Sequence, residues 1–252
     1  MASDFDHFVS IRLLRGDQEK EEFVEYQAPY HPGQVVLDVV LELQASQAND
    51  LAVRWNCKAG KCGSCAAEIN GLPKLMCMTK VSSLENFPIT IEPLRSFPLI
   101  KDLVSDVSFN YQMASKIAPF TPSENAPFVL YQKDVERSQE FRKCIECFIC
   151  QDICHVIRDH PENKTRYGGP RNFVRAAEME MHPLDKKDRR IMLKQELSIG
   201  LCNITKCCTE SCPVGIRITD NAIIPLKERI ADINYDPLMW LWNRIKKKNP
   251  NR

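Results

Sequence analysis

Cys57-Lys-Ala-Gly-Lys-Cys62-Gly-Ser-Cys65 is completed by Cys77, and Cys144-Ile-Glu-Cys147-Phe-Ile-Cys150 runs on to Cys154. A third group follows as Cys202, Cys208 and Cys212, the last directly before Pro213. These groups hold eleven of the chain's 12 cysteines, and Cys207 is the remaining one. In the first group the gaps are x4, x2 and x11, the plant-type 2Fe–2S spacing. The second has gaps of x2, x2 and x3, the bacterial ferredoxin run, whose fourth cysteine serves the other cluster of a pair.

Short spacings let one loop wrap a compact inorganic core while its N–H groups point at the sulfurs. Gly60 and Gly63 suit that reading, since a tight loop needs backbone torsions that glycine reaches cheaply. Cys57, Cys62, Cys65 and Cys77 are therefore expected to hold a 2Fe–2S cluster. Structural zinc is the competing reading, but zinc favours separated C-x2-C hooks. By the crossing rule, Cys144, Cys147, Cys150 and Cys212 are expected to hold 4Fe–4S. Cys154, Cys202 and Cys208 then form the last site. A full run would place a cysteine at position 205, where Thr205 stands. Three thiolates without a fourth suit 3Fe–4S. Cys207 has the wrong spacing for the run and reads as an inert neighbour, with a fourth-ligand role left only to a rearranged loop.

Length and composition bound the rest. The 252 residues allow two domains of ordinary size, and the split of the cysteines favours two. Hydrophobic residues make up 44% and charged residues 27%, as in soluble globular proteins. A net charge of +1 gives no electrostatic case for nucleic acid. No apolar run reaches the roughly 18 residues of a membrane span, and the acidic N-terminus does not read as a signal peptide. In a reducing compartment, clustered cysteines read as metal ligands rather than disulfides.

Along the chain, β-formers at 8–14 and 22–26 flank a polar turn and predict a hairpin. Val36, Val39, Val40 and Leu43 recur with helical period and predict an amphipathic helix over 34–47. Short strands are predicted at 66–69 and 89–92, with Asn70-Gly71 as a turn. Prolines punctuate the stretch from Pro93 to Pro127, which is expected to drape over both domains. From Asp134 the pattern is helical, with helices predicted at 171–181 and 185–197, and Pro225 kinking the last one or starting it late. The charged stretches 19–22 and 185–190 read as solvated faces.

The whole chain resembles the iron–sulfur subunit of succinate dehydrogenase and fumarate reductase. The plant-type quartet, Pro93-Leu-Arg95 with Lys101-Asp102-Leu103 at the junction, and the paired later groups with Thr205 at the non-cysteine position carry the resemblance. The stretches from Lys143 to His155 and from Asn203 to Cys208 resemble its actinobacterial-type branch. The implied fold is α+β: a β-grasp ferredoxin domain, placed at 1–104, then an α-helical ferredoxin domain at 105–252. The implied role is electron transfer in a respiratory chain, from FAD on a flavoprotein through 2Fe–2S, 4Fe–4S and 3Fe–4S to quinone. A cytochrome b-type membrane anchor would hold the quinone and haem, with this subunit peripheral on the cytoplasmic face. No catalytic residue is expected on this chain, and nothing in it chooses succinate oxidation over fumarate reduction. Better-known members carry a proline, a tryptophan and a histidine near the quinone, where this chain has His155, Asp159 and Asn203. Their quinone site does not transfer, and a site built by the anchor with menaquinone is expected instead.

Weaker signals remain. His155 and His160 follow the second group, where proton or quinone handling competes with an ordinary surface role. Trp240, Leu241 and Trp242, followed by Arg244 and Lys246 to Lys248, read either as an interfacial anchor or as a solvated basic tail. No phosphate loop or dinucleotide fingerprint is present, so FAD and succinate are expected on another chain.

Overall fold

The computed structural model describes residues 7–122 and 129–235. The tail from Trp240 onward, with its proposed anchor, lies outside the described residues.

Strands β1 (His7–Gly16) and β2 (Glu21–Tyr30) form the predicted hairpin, in register from His7 opposite Tyr30 to Gly16 opposite Glu21. Helix α1 (Val36–Ser46) follows, its first turn fixed by the Asp38 carboxylate accepting from Val35 N–H at 3.2 Å. The predicted stripe is buried: Val36, Leu37, Val39, Val40 and Leu43 all face the core. Each such side chain contributes about 1.5–3 kcal/mol through burial. Strands β3 (Ala66–Ile69) and β4 (Leu72–Leu75) flank Asn70 and Gly71, both at positive φ as a tight hairpin turn requires. β5 (Ile89–Glu92) runs parallel to β1 and antiparallel to β3, giving the sheet order β2-β1-β5-β3-β4. With α1 packed across one face, this mixed sheet is the β-grasp arrangement.

A second small hairpin, β6 (Leu99–Lys101) and β7 (Val104–Ser105), turns at Asp102. The buried Asp102 carboxylate accepts from Gly16 N–H at 2.8 Å, Ala52 N–H at 2.8 Å and Arg15 Nε at 3.0 Å, fastening this hairpin to the sheet. The proline-punctuated stretch contains helix α2 (Ser108–Ser115), whose Met113 enters the helical core together with Ile117 beyond it.

The helical part comprises α3 (Gln132–Gln139), α4 (Ile149–Asp152), α5 (His155–Arg158), α6 (Gly169–Glu180), α7 (Arg190–Gln195), α8 (Cys207–Glu210) and α9 (Ile224–Tyr235). A π-helical turn, Ile218–Ile223, leads into α9. Pro225 therefore lies at the start of α9, directly after the π-helical turn. The helix predicted over 185–197 is shorter than expected; Lys186, Lys187 and Asp188 are exposed as a solvated face requires, but the Asp185 and Arg189 side chains are buried. Arg189 is fully buried and donates to the carbonyls of Ala118 and Pro119 and to the Asp185 carboxylate at 2.7 Å. That guanidinium holds the 118–119 backbone in place, so residues 185–189 form a loop.

The two parts share a packed seam. Ile149, on α4, belongs to the core of the β-grasp part, while Cys150 and Cys154 belong to the helical core. Leu94, Phe97 and Phe148 bridge the two in a small cluster. Charges close it: buried Glu68 on β3 meets Arg158 at 3.0 Å and Arg95 at 3.3 Å, and Ser96 donates to Asp152 at 2.8 Å.

Candidate metal centres

No disulfide joins any of the twelve cysteines. Cys57, Cys62 and Cys65 sit in an irregular loop beside β3, and Cys77 returns to it on a short helical turn after β4. Backbone donors converge on these sulfurs: Lys61 N–H on Cys57 at 3.3 Å, Ala59 N–H on Cys57 at 3.4 Å, and Gly60 N–H on Cys77 at 3.3 Å. Burial raises the Cys62 thiol, but N–H groups of Cys57 and Ser64 outweigh it and hold it at about 6. Burial, with Cys77 beside it, pushes the Cys65 thiol up. A loop that presents N–H groups to sulfur suits anionic thiolates around a metal core. Lys58, Gly60 and Gly63 adopt positive φ to make the wrap.

Gly63 does more. A Cβ there would lie 2.7 Å from Cys147 Cα and 2.8 Å from the Ile145 carbonyl oxygen. The first cysteine loop thus touches the second directly, backbone on backbone.

Cys144, Cys147, Cys150 and Cys212 line one largely enclosed cavity, walled by Val174, Ile216 and Ile218. Ile216 N–H points at Cys212 Sγ from 3.4 Å. Burial pushes the Cys147 thiol up to about 12 and the Cys150 thiol well above its ordinary range. Metal would have to displace those protons, as thiolate ligation always requires. Among the described residues, no three His, Cys, Asp or Glu side chains gather tightly enough for a single bare ion. The sulfurs of the second group instead stand around a space.

Cys154 opens α5, and Cys208 lies on α8 against the π-helical turn. Burial pushes Cys154 to about 12 and Cys208 to about 11. Cys208 Sγ stands 3.4 Å from Thr219 Oγ1, and Cys154 Sγ 3.9 Å from the buried Tyr167 hydroxyl. The Tyr167 hydroxyl also faces Cys202, and burial and these neighbouring thiols push it up. Nothing in the sequence marks Tyr167 or Thr219 as neighbours of this group, because tertiary packing alone brings them there. Thr205 Oγ1 sits 3.5 Å from His155 Nδ1 and 3.4 Å from Cys207 Sγ, and Cys207 is close enough to raise both Cys154 and Cys208. His160 pairs with Glu162 at the surface.

The chain matches two family descriptions: "2Fe-2S iron-sulfur cluster binding domain" over residues 9–112 and "4Fe-4S dicluster domain" over 140–216. It is 31% identical over 220 residues to the mitochondrial succinate dehydrogenase iron–sulfur subunit of Candida glabrata, covering 84% of this chain and 86% of that protein. This chain belongs to the succinate dehydrogenase and fumarate reductase iron–sulfur subunit family. A chain in the Mycobacterium smegmatis Sdh1 complex in the apo form superposes with a TM-score of 0.89 and 56% identity, covering 92% of this chain and 98% of that one. The fumarate reductase iron–sulfur subunit of Mycobacterium tuberculosis is 28% identical over 77% of this chain and 80% of its own length. The chain also spans about half the length of some relatives, covering 44% of an uncharacterized iron–sulfur protein of Methanococcus maripaludis. Membership makes this an electron-transfer subunit whose α+β fold joins a 2Fe–2S domain to a helical 4Fe–4S domain. Among the described residues no helix is long and apolar enough to cross a membrane.

Proposed function

We propose that the chain is the electron-transfer subunit of a membrane-bound succinate:quinone oxidoreductase. Cys57, Cys62, Cys65 and Cys77 hold 2Fe–2S; Cys144, Cys147, Cys150 and Cys212 hold 4Fe–4S; Cys154, Cys202 and Cys208 hold 3Fe–4S. When bound, the clusters supply one-electron carriers in series between a flavin and a quinone. The observation that carries the reading is contact in sequence: Gly63 abuts Cys147, and Cys150 lies close enough to Cys208 to raise its own thiol further. Short hops are what electron tunnelling requires.

The chain's own residues bind and insulate. N–H groups of residues 59–61 and of Ile216 stabilise thiolate charge, and Phe148, Val174 and Ile218 give the second site an apolar lining. Tyr167 and Thr219 place hydroxyls on the third. The proposed domain boundary, between 104 and 105, lies within the second hairpin, whose strand β7 runs Val104–Ser105. Family membership supports a flavoprotein with FAD and a cytochrome b-type anchor with haem as partners, and a peripheral place on the cytoplasmic face. His155, Asp159 and Asn203 at the family's quinone positions support a site built by the anchor, with menaquinone as the acceptor. Similarity to a fumarate reductase subunit keeps the reverse direction as the second reading.

Electron paramagnetic resonance of the purified complex, oxidised and reduced, tests this. Three cluster signals are expected, with Cys208→Ser removing only the oxidised 3Fe–4S resonance. A wild-type sample without that resonance would reject the third assignment, and one without iron and acid-labile sulfide would reject all three.

A further inference from the structure

Arg171 is the single charged residue among those lining the cavity of Cys144, Cys147, Cys150 and Cys212. Its side chain is 10% exposed, and it contacts the carboxylate of Glu146, which lies in the loop between Cys144 and Cys147. Helix α6 fixes it, since the Arg171 N–H donates to buried Gln151 Oε1 at 3.3 Å. Gly169 leaves room for that glutamine: a Cβ there would meet Gln151 Oε1 at 2.0 Å. The neighbouring charges Arg142, Arg175 and Glu178 pair among themselves at more exposed positions and do not line this cavity.

We propose that Arg171 and Glu146 together set the reduction potential of the group held by these four cysteines. The guanidinium raises that potential and the carboxylate holds it down. This rests on the 4Fe–4S reading of the second site. The reason is charge. Reduction adds one electron to a space already bounded by thiolates, with no bond made or broken. A guanidinium keeps its positive charge at every working pH. In a poorly hydrated cavity its field is weakly screened, so it favours the reduced form. Glu146, 44% exposed at its side chain, opposes that field from the wetter side. The electron arrives from the upstream flavin, or from a low-potential chemical reductant in a titration.

A potentiometric titration of the complex, read by electron paramagnetic resonance, tests the pair. Arg171→Gln should weaken reduction of the 4Fe–4S centre by about tenfold, a downward shift of about 59 mV for one electron. Arg171→Lys should restore most of it, and Glu146→Gln should shift it upward. The other two centres should stay in place and act as internal controls. If Arg171→Gln fails to assemble, the half-exposed Glu146 position still decides through its upward shift. Absence of a reduced 4Fe–4S signal in the wild type would sink the ligand reading and this inference with it. A normal signal whose potential moves with neither variant, or moves the same way with both, would sink the inference alone.

Discussion

At the scale of single residues, two glycines in one loop do different work. Gly60 and Gly63 both adopt left-handed backbone, at φ 65° and 73°. An alanine pays roughly 1–2 kcal/mol for that conformation at either place. Beyond it, Gly60 would press a Cβ only on the flexible Met78 side chain at 2.9 Å, whereas Gly63 would strike the Cys147 backbone at 2.7 Å. Gly63→Ala should therefore lower the apparent thermal midpoint of the holoprotein well beyond Gly60→Ala and weaken magnetic coupling between the first two centres. Equal losses in the two variants would show that the inter-loop contact is not tight.

At the scale of elements, α4 is the joint. Its four residues send Ile149 into one core and Cys150 into the other, and end on buried Asp152. Burial raises the Asp152 carboxyl to about 7, with nearby Glu68 adding to the rise against the Ser96 N–H. An acid raised above its ordinary value of about 3.9 stabilises the fold below that value, and the stability is lost as pH climbs towards about 7. The wild-type thermal midpoint should fall from pH 5 to pH 7.5 relative to Asp152→Asn, in which that slope disappears. Parallel profiles for the two proteins would remove Asp152 from the account. The same element-scale logic explains the short α7: Arg189 spends its side chain on carbonyls of residues 118 and 119 rather than on a longer helix.

At the scale of the whole molecule, the two parts are held at one distance by a seam rather than by a linker. Glu68 from the sheet reaches Arg158 from the helical part, with Arg95 from the connecting stretch on the same carboxylate. Breaking a fully buried pair costs about 3–5 kcal/mol. Because Arg95 is half exposed, Glu68→Gln should cost less, about 2–3 kcal/mol. Differential scanning calorimetry of the holoprotein should show the loss. An unchanged midpoint would mean that apolar contacts of Phe97, Phe148 and Ile149 alone hold the seam.

The hairpin, the α1 stripe and the grouping of the cysteines could all be read along the chain, because strand period, helix period and ligand spacing are short-range properties. Thr205 at the gap in the last run was equally visible, since it needs only counting. Three features belonged to tertiary structure alone: Gly63 against Cys147, Tyr167 beside Cys154, and Arg171 in the second cavity beside Glu146. The first pair meets only where the two parts close on one seam, while the other two meet when the helical part packs on itself. Local spacing specifies which atoms can hold iron, while packing specifies how near the centres stand and which charges they feel.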